Sequence, residues 1–217
     1  MDTAIKPAHP LHHSYSDWDF IGSNWPYYDD TGYTSAPTSL CGRQIKAVPY
    51  QGNSLLKTYT NLPQLQLVQN IMWYFVSASA HYDYFRAQDL PGPADFHPAT
   101  CYYLRFHSTQ VAFGWSAAGL RYILDYHNFA PPLVLGQWYQ YRFSLSDFPN
   151  HITPTAIAFK FELYQAGVWN TYLENMASPS RWYNSLTNRF GIWLFSGGNY
   201  DKVGNRIDDT QIFVPTL

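Results

Sequence analysis

Two ten-residue stretches do most to limit the fold. In Gly136–Leu145, G-Q-W-Y-Q-Y-R-F-S-L, Trp138, Gln140, Arg142 and Ser144 alternate with Tyr139, Tyr141, Phe143 and Leu145. In Ala156–Gln165, Ile157, Phe159, Phe161 and Leu163 fall at every second position. Successive side chains of an extended strand point to opposite faces, so this period of two predicts half-buried strands with one apolar face each. A helix would scatter the same residues around its axis.

Other segments share the pattern. Ser39–Val48, Ser54–Tyr59, Thr100–His107, Gln110–Trp115 and Leu120–Tyr126 read as short strands, and Gln64–Ser77 as a long central one. Val168–Glu174 either continues the sheet or forms a turn. Gly191–Phe195 and Ile207–Phe213 flank a loop carrying Gly197, Gly198 and Gly204, which reads as a closing hairpin. Leu90–Pro98, with three prolines and Gly92, is a loop, and Trp182–Asn188 a connection. Short strands separated by turn signals, with no βαβ alternation, predict an all-β, two-sheet antiparallel β-sandwich of the jelly-roll kind. Residues 1–16 lack periodicity and carry Pro7 and Pro10, predicting an extended N-terminal arm ahead of a single domain spanning 17–217.

Composition narrows the function classes. Charged residues make up 13% of 217, about half the usual ~25%, whereas aromatics reach 19%. The net charge of −2 and singly scattered basic residues give no phosphate-binding stripe, so no nucleic-acid partner is expected. No run of 18 apolar residues exists to span a bilayer, and no apolar signal-peptide core opens the chain. Abundant Tyr and Trp suit surfaces that stack and hydrogen-bond, as sugar and protein interfaces do. His9, His12 and His13 lack an accompanying Cys or carboxylate cluster, which argues against a metal centre there. Cys41 and Cys101 are too few for a disulfide framework and are expected as buried thiols.

The segments L-G-Q-W-Y-Q-Y-R-F-S-L, R-F-G-I-W-L-F-S-G-G and R-I-D-D-T-Q-I-F resemble, in that order, the second half of concanavalin A-like and laminin-G-like jelly rolls. The early D-W-D-F is similar to the opening of several carbohydrate-binding modules. This resemblance implies a lectin-like sandwich. It also implies a structural calcium shared by Asp19 and a terminal-strand carboxylate, Asp209 or Asp208. Candidate glycan-facing aromatics are Trp115, Trp138, Trp169, Trp182 and Tyr200, among which strand tryptophans are also the usual packing residues.

Enzyme chemistry finds little footing. Glycoside hydrolysis needs two placed carboxylates, and the only glutamates are Glu162 and Glu174. Glu162, beside Lys160, reads as a solvent-face strand residue. A polysaccharide lyase would draw on residues such as Tyr103, Arg105 and His107, but with 19 Tyr and 8 His such sets arise by chance. The expectation is a non-enzymatic protein, and two readings stand. One is an assembly component of a viral particle (decoration, fibre or tail) with protein partners, a homo-oligomeric state and a virion or extracellular location. The other is a free-standing glycan-binding module.

Overall fold

A computed structural model of the chain describes residues 76, 79–90, 98–150, 152–182 and 187–193 with their side chains. For residues 5–10, 19–21, 27–28, 45–46, 54–61, 67–75, 194–196 and 206–215 it describes the strand backbone. Among the described residues there are strands and no helix. In chain order the strands are β1 Ile5–Pro10, β2 Asp19–Ile21, β3 Tyr27–Tyr28, β4 Ile45–Lys46, β5 Ser54–Asn61, β6 Leu67–Phe75, β7 His81–Ala87 and β8 Cys101–Phe106. They continue as β9 Gln110–Ala117, β10 Leu120–Asn128, β11 Trp138–Phe148, β12 Ala156–Gln165, β13 Val168–Ala177, β14 Arg189–Ser196 and β15 Arg206–Pro215.

These strands form two antiparallel sheets. An eight-stranded sheet runs β13-β12-β11-β6-β15-β4-β3, with β1 also paired to β15; a seven-stranded sheet runs β10-β9-β8-β7-β14-β5-β2. The segment 168–174 is thus strand, and the proline-bearing Ile5–Pro10 lies antiparallel to β15, with its register broken between Pro7 and Pro10. The two-sheet sandwich is the architecture that the alternation predicts.

The closing hairpin is not formed. β14 sits between β7 and β5 in one sheet, and β15 between β6 and β4 in the other. Residues 197–205 therefore connect the two sheets. Alternation fixes which face of a strand is buried, but not which neighbour it pairs with.

Both alternating stretches bury the predicted set, except that Tyr139 at the start of β11 is only half-buried. Tyr141, Phe143, Leu145, Ile157, Phe159, Phe161 and Leu163 are at most 3% exposed. Facing them are Phe85, Tyr102, Leu104, Phe106, Val111, Phe113, Phe190 and Ile192 from the seven-stranded sheet, in one continuous cluster. Rings meet across the gap at 4.4 Å (Phe113–Phe159), 4.9 Å (Phe85–Phe143) and 5.1 Å (Phe106–Phe161). Cys101 is a buried free thiol, as expected, and burial raises its pKa, with Asp89 adding and Arg121 opposing. Cys41 lies outside the described residues.

Two polar ties cross this apolar layer. His81 Nε2 lies 2.6 Å from Asp83 Oδ1 and 2.9 Å from the Tyr141 hydroxyl, which donates to Asp83 Oδ2 at 2.6 Å. Arg86 donates to Asp147 at 3.0 and 2.9 Å, and to the Arg181 carbonyl at 3.0 Å. Ser180 Oγ donates to the same Asp147 carboxylate. Both ties join β7 to β11, and so one sheet to the other. Strand β7 has no sequence-based counterpart above. Two of its inward positions are the polar His81 and Asp83, so it lacks the apolar alternation that exposes a strand.

The outer face of the eight-stranded sheet carries an ion-pair chain. Arg142 Nε donates to Glu162 at 2.6 Å, while Lys160 lies 3.4 Å from Glu162 and 3.7 Å from Glu174. Glu162 is on the face the sequence assigns it, beside Lys160, but it is buried and not solvent-facing, at 5% exposure. Burial pushes its carboxyl up, yet the hydrogen bond and charge of Arg142, with Lys160, outweigh this and hold it below its ordinary 4.5. A lowered folded-state pKa stabilises fully above the unfolded value and loses its effect as pH falls through the folded one. Glu162→Gln should therefore cost about 1–2 kcal/mol at neutral pH. Urea melts should show the wild-type advantage shrinking as pH drops toward 3.

Candidate functional site

The outer face of the seven-stranded sheet has an unusual cross-section over β7 to β10. Register places one outward row as Trp193, Tyr82, Arg105, Ala112 and Tyr126, and the next as Gly191, Tyr84, Tyr103, Gly114 and Ile123. On β9 the outward residues are Gln110, Ala112, Gly114 and Ser116, while Val111, Phe113 and Trp115 point to the core. Small side chains on β9 between larger ones on β8 and β10 leave a shallow trough whose floor its neighbours largely cover, with Ala112 0% and Ser116 2% exposed.

Gly114 sets its depth. A Cβ there would run into the Tyr122 carbonyl oxygen and come within 2.8 Å of the Tyr103 ring and hydroxyl. The Tyr103 ring thus covers the glycine, its hydroxyl 3.5 Å from that carbonyl, as an aromatic residue commonly shields a strand glycine from its neighbour. The glycine is needed here for space.

Two hollows open along the trough and share Tyr82 and Arg105. One, of about 320 Å³, is lined by Ala80, Tyr82, Arg105, His107, Thr109, Gln110 and Asn128. The other, of about 170 Å³, is lined by Tyr82, Tyr103, Arg105, Ala112, Arg121 and Ile123. Tyr82 is half-buried, its ring stacked on Trp193 at 5.0 Å and 25°, and on Tyr84 at 6.3 Å and 14°. Packing against Trp193 and Tyr84 on the same face fixes the ring beside the hollows. Around it the Arg105 guanidinium donates to Gln110 Oε1, and Gln110 Nε2 donates to Asn128 Oδ1 at 2.9 Å. The Thr109 amide donates to His107 Nδ1 at 3.3 Å, within the tight turn joining β8 and β9.

Tyr103, Arg105 and His107 do alternate along one face of β8. Burial, however, raises the Tyr103 pKa, and Arg105 and Arg121 only partly oppose it. The phenol, 5% exposed, thus gives up its proton less readily than a free tyrosine. What the trough offers is an aromatic platform among amide, imidazole and guanidinium hydrogen-bonding groups.

A larger open hollow of about 530 Å³ lies on the other sheet, over Ser144, Ser146, Phe148, Ala158, Lys160 and Met176. Its charged groups are already committed to the Arg142–Glu162–Lys160–Glu174 chain. They are therefore less available to a ligand.

The sequence-derived aromatics do not gather at one place. Trp115 and Trp182 pack against the core cluster. Trp115 stacks on Tyr122 at 4.1 Å with the Arg181 guanidinium 4.0 Å over its ring, and Trp182 meets Tyr102 at 5.3 Å. Trp138 opens β11, half-buried, paired with Phe75. Trp169, on β13, lies under the Arg142 guanidinium at 4.4 Å and beside Tyr164 at 5.2 Å. Tyr200 is outside the described residues. Asp19 lies on β2 of the seven-stranded sheet and Asp208 on β15 of the eight-stranded one, with Asp209 following it; their side chains are not among those described. Among the described residues no group of three or more His, Cys, Asp or Glu is placed to hold a metal ion.

Sequence reasoning passed over Tyr82, Gln110, Ala112 and Arg121. The available signal was the small residue at every second position of Q-V-A-F-G-W-S, opposite the apolar set.

No protein-family model matches the sequence, and no curated protein matches it. The fold has clear counterparts. The VIP36 exoplasmic/lumenal domain in its Ca2+/Man3GlcNAc-bound form superposes with a TM-score of 0.65 at 12% identity, over 99% of this chain and 91% of that one. Lectin UEA-II complexed with galactose gives 0.60 at 7% identity, over 99% and 97%. The CBM2 module of the evolved Dit of Lactobacillus casei BL23 phage J-1 gives 0.54 at 10% identity, over 96% and 94%. The chain has the jelly-roll fold of lectins and carbohydrate-binding modules, as its sequence resemblance implies.

Proposed function

We propose that the protein is a non-enzymatic glycan-binding module whose sugar lies in the trough over β9. The observation that carries this is the Tyr82 ring, stacked on Trp193, beside hollows lined by Arg105, His107, Gln110 and Asn128. An aromatic face meets the apolar face of a pyranose, and nearby amide and guanidinium groups meet its hydroxyls. Similar folds whose structures hold Man3GlcNAc or galactose support the reading. The test is a glycan array with the purified chain. Specific retention of one glycan class is expected, and an array blank at millimolar sugar would overturn the reading.

A second reading, as an accessory component of a viral particle or an extracellular assembly, rests on the end of the sandwich where β10 and β13 lie as edge strands. Asn175 of β13 donates to Asp125 of β10 at 3.2 Å, and along these two strands Leu120, Ile123, Tyr126, Val168 and Met176 are 54–61% exposed. Apolar side chains on unpaired strand edges invite a partner. Within this reading, residues 1–16 act as the docking arm of the 17–217 domain. Light scattering on the native chain distinguishes the cases: a defined oligomer supports assembly, and a clean monomer at high concentration contradicts self-assembly. Among the described residues no helix is long and apolar enough to cross a membrane.

A further inference from the structure

We propose that the trough is built for an acidic glycan, one carrying a ring carboxylate or a sulfate ester. This rests on the glycan-binding reading and names its ligand class. The starting observation is the charge on the trough walls. Arg105 stands on β8 and Arg121 on β10, on either side of the small residues Ala112 and Gly114, and both line the same hollow. Both act on the Tyr103 phenol between them, each pulling its pKa down against the effect of burial.

Among the described residues no acid pairs with either arginine. Six carboxylates are among the described residues, and none forms an ion pair with Arg105 or Arg121. Asp83 and Asp147 are buried between the sheets with His81, Tyr141 and Arg86. Asp89 accepts from the Ala99 and Thr100 amides. Asp125 accepts from Asn175, and Glu162 and Glu174 belong to the chain on the opposite sheet. Among the described residues the Arg105 side chain meets only the neutral Gln110, and Arg121 has no ion pair.

The contrast with the other sheet is informative. In a chain with only 13% charged residues, the described cations on the eight-stranded face, Arg142 and Lys160, are both matched by Glu162 and Glu174. Those in the trough are left to an incoming anion. A guanidinium presents a planar fork of N–H donors that fits a carboxylate or sulfate in bidentate fashion. Sugar rings stacked along Tyr82 would set their acidic substituents toward Arg105 on one wall and Arg121 on the other. A neutral glycan would leave both cations partly desolvated without a partner, so the trough discriminates by charge.

Calorimetric titration tests this with hexamers of β-1,4-glucuronate, β-1,4-mannuronate and α-1,4-galacturonate, each beside its carboxyl-reduced neutral counterpart. A sulfated galactan hexamer beside its desulfated form makes the second arm. At least one acidic hexamer should bind tenfold or more tighter than its neutral counterpart at 50 mM salt, and the gap should narrow at 500 mM. Arg105→Gln and Arg121→Gln should each cut the preference for that acidic ligand over its neutral counterpart about five- to tenfold, with unchanged melting curves showing that they fold. Whether carboxylate or sulfate hexamers respond identifies the anion. Neutral hexamers binding as tightly as acidic ones, or arginine variants with undiminished acidic preference, would overturn the proposal and leave glycan binding standing. Absence of binding to acidic and neutral sugars alike would remove both.

Discussion

Asp147→Ala should destabilise the protein by about 3–5 kcal/mol, a fall in melting temperature on the order of 10 °C for a chain of this size. Asp147 accepts from Arg86 and Ser180 inside the sandwich, with side-chain exposures of 2% for Arg86 and 0% for Asp147. Removing the carboxylate leaves the guanidinium buried and short of its charge partner, keeping only the Arg181 carbonyl at 3.0 Å. The cost comes mainly from that stranded charge and much less from the net worth of the pair. Pairing Arg86→Met with Asp147→Leu should accordingly recover most of the loss. Chemical denaturation of wild type, both single variants and the double variant measures this. A single-variant loss below about 1 kcal/mol would show that water reaches Arg86 and that the tie is peripheral.

Gly114→Ala should cost about 3 kcal/mol through a different cause. The added methyl meets the Tyr122 carbonyl oxygen, which is backbone, and the Tyr103 ring. Neither yields cheaply. Tyr103 is 5% exposed and packed with Tyr84, Ala87, Cys101 and Trp193, while Tyr122 lies next to the register shift between Ile123 and Asp125. Overpacking of a close-packed site costs about 1–3 kcal/mol, and a backbone obstacle puts this substitution at the upper end. Because Tyr103, which covers Gly114, lines the smaller hollow, its displacement should lower any glycan affinity along with stability. Ala112→Ser, beside it in the trough, adds one hydroxyl and serves as the comparison for an ordinary small change. A Gly114→Ala melt within 0.5 kcal/mol of wild type would mean that β10 shifts freely over β9.

Much of the architecture was legible because it is written in side-chain alternation. The period of two at 138–145 and 157–163 marks strands that each bury one face, and the structure buries that face. Partnership was not legible. The 191–195 and 207–213 runs look like a hairpin because they are apolar and separated by glycines, yet they belong to different sheets. Pairing depends on strands far apart in sequence, such as β6 beside β15 and β7 beside β14. Strand β7 escaped notice because His81 and Asp83 face the core, where apolar residues are the signal that sequence reading follows.

The candidate site was legible only in part. Tryptophan draws attention as a sugar platform, but parity decides its side of the sheet: Trp115 shares its face with Val111 and Phe113, and so packs inward. The outward face of the same strand carries Gln110, Ala112 and Gly114, which no composition argument singles out. Tyr103, Arg105 and His107 were visible as a set. Their neighbours Tyr82 and Arg121 come from other strands, and only register brings them together.

On the proposed reading, glycans bind over β9 and not on the opposite sheet. The most direct measurement is the affinity of the strongest array ligand for Tyr82→Ala and Trp169→Ala, read by calorimetry beside their melting curves. Tyr82→Ala should lose about tenfold or more in affinity, since a rigidly packed aromatic anchor dominates a small interface, while Trp169→Ala stays within about twofold. The reverse pattern, binding lost with Trp169 and kept without Tyr82, would contradict the account and move the site to the face of β11, β12 and β13.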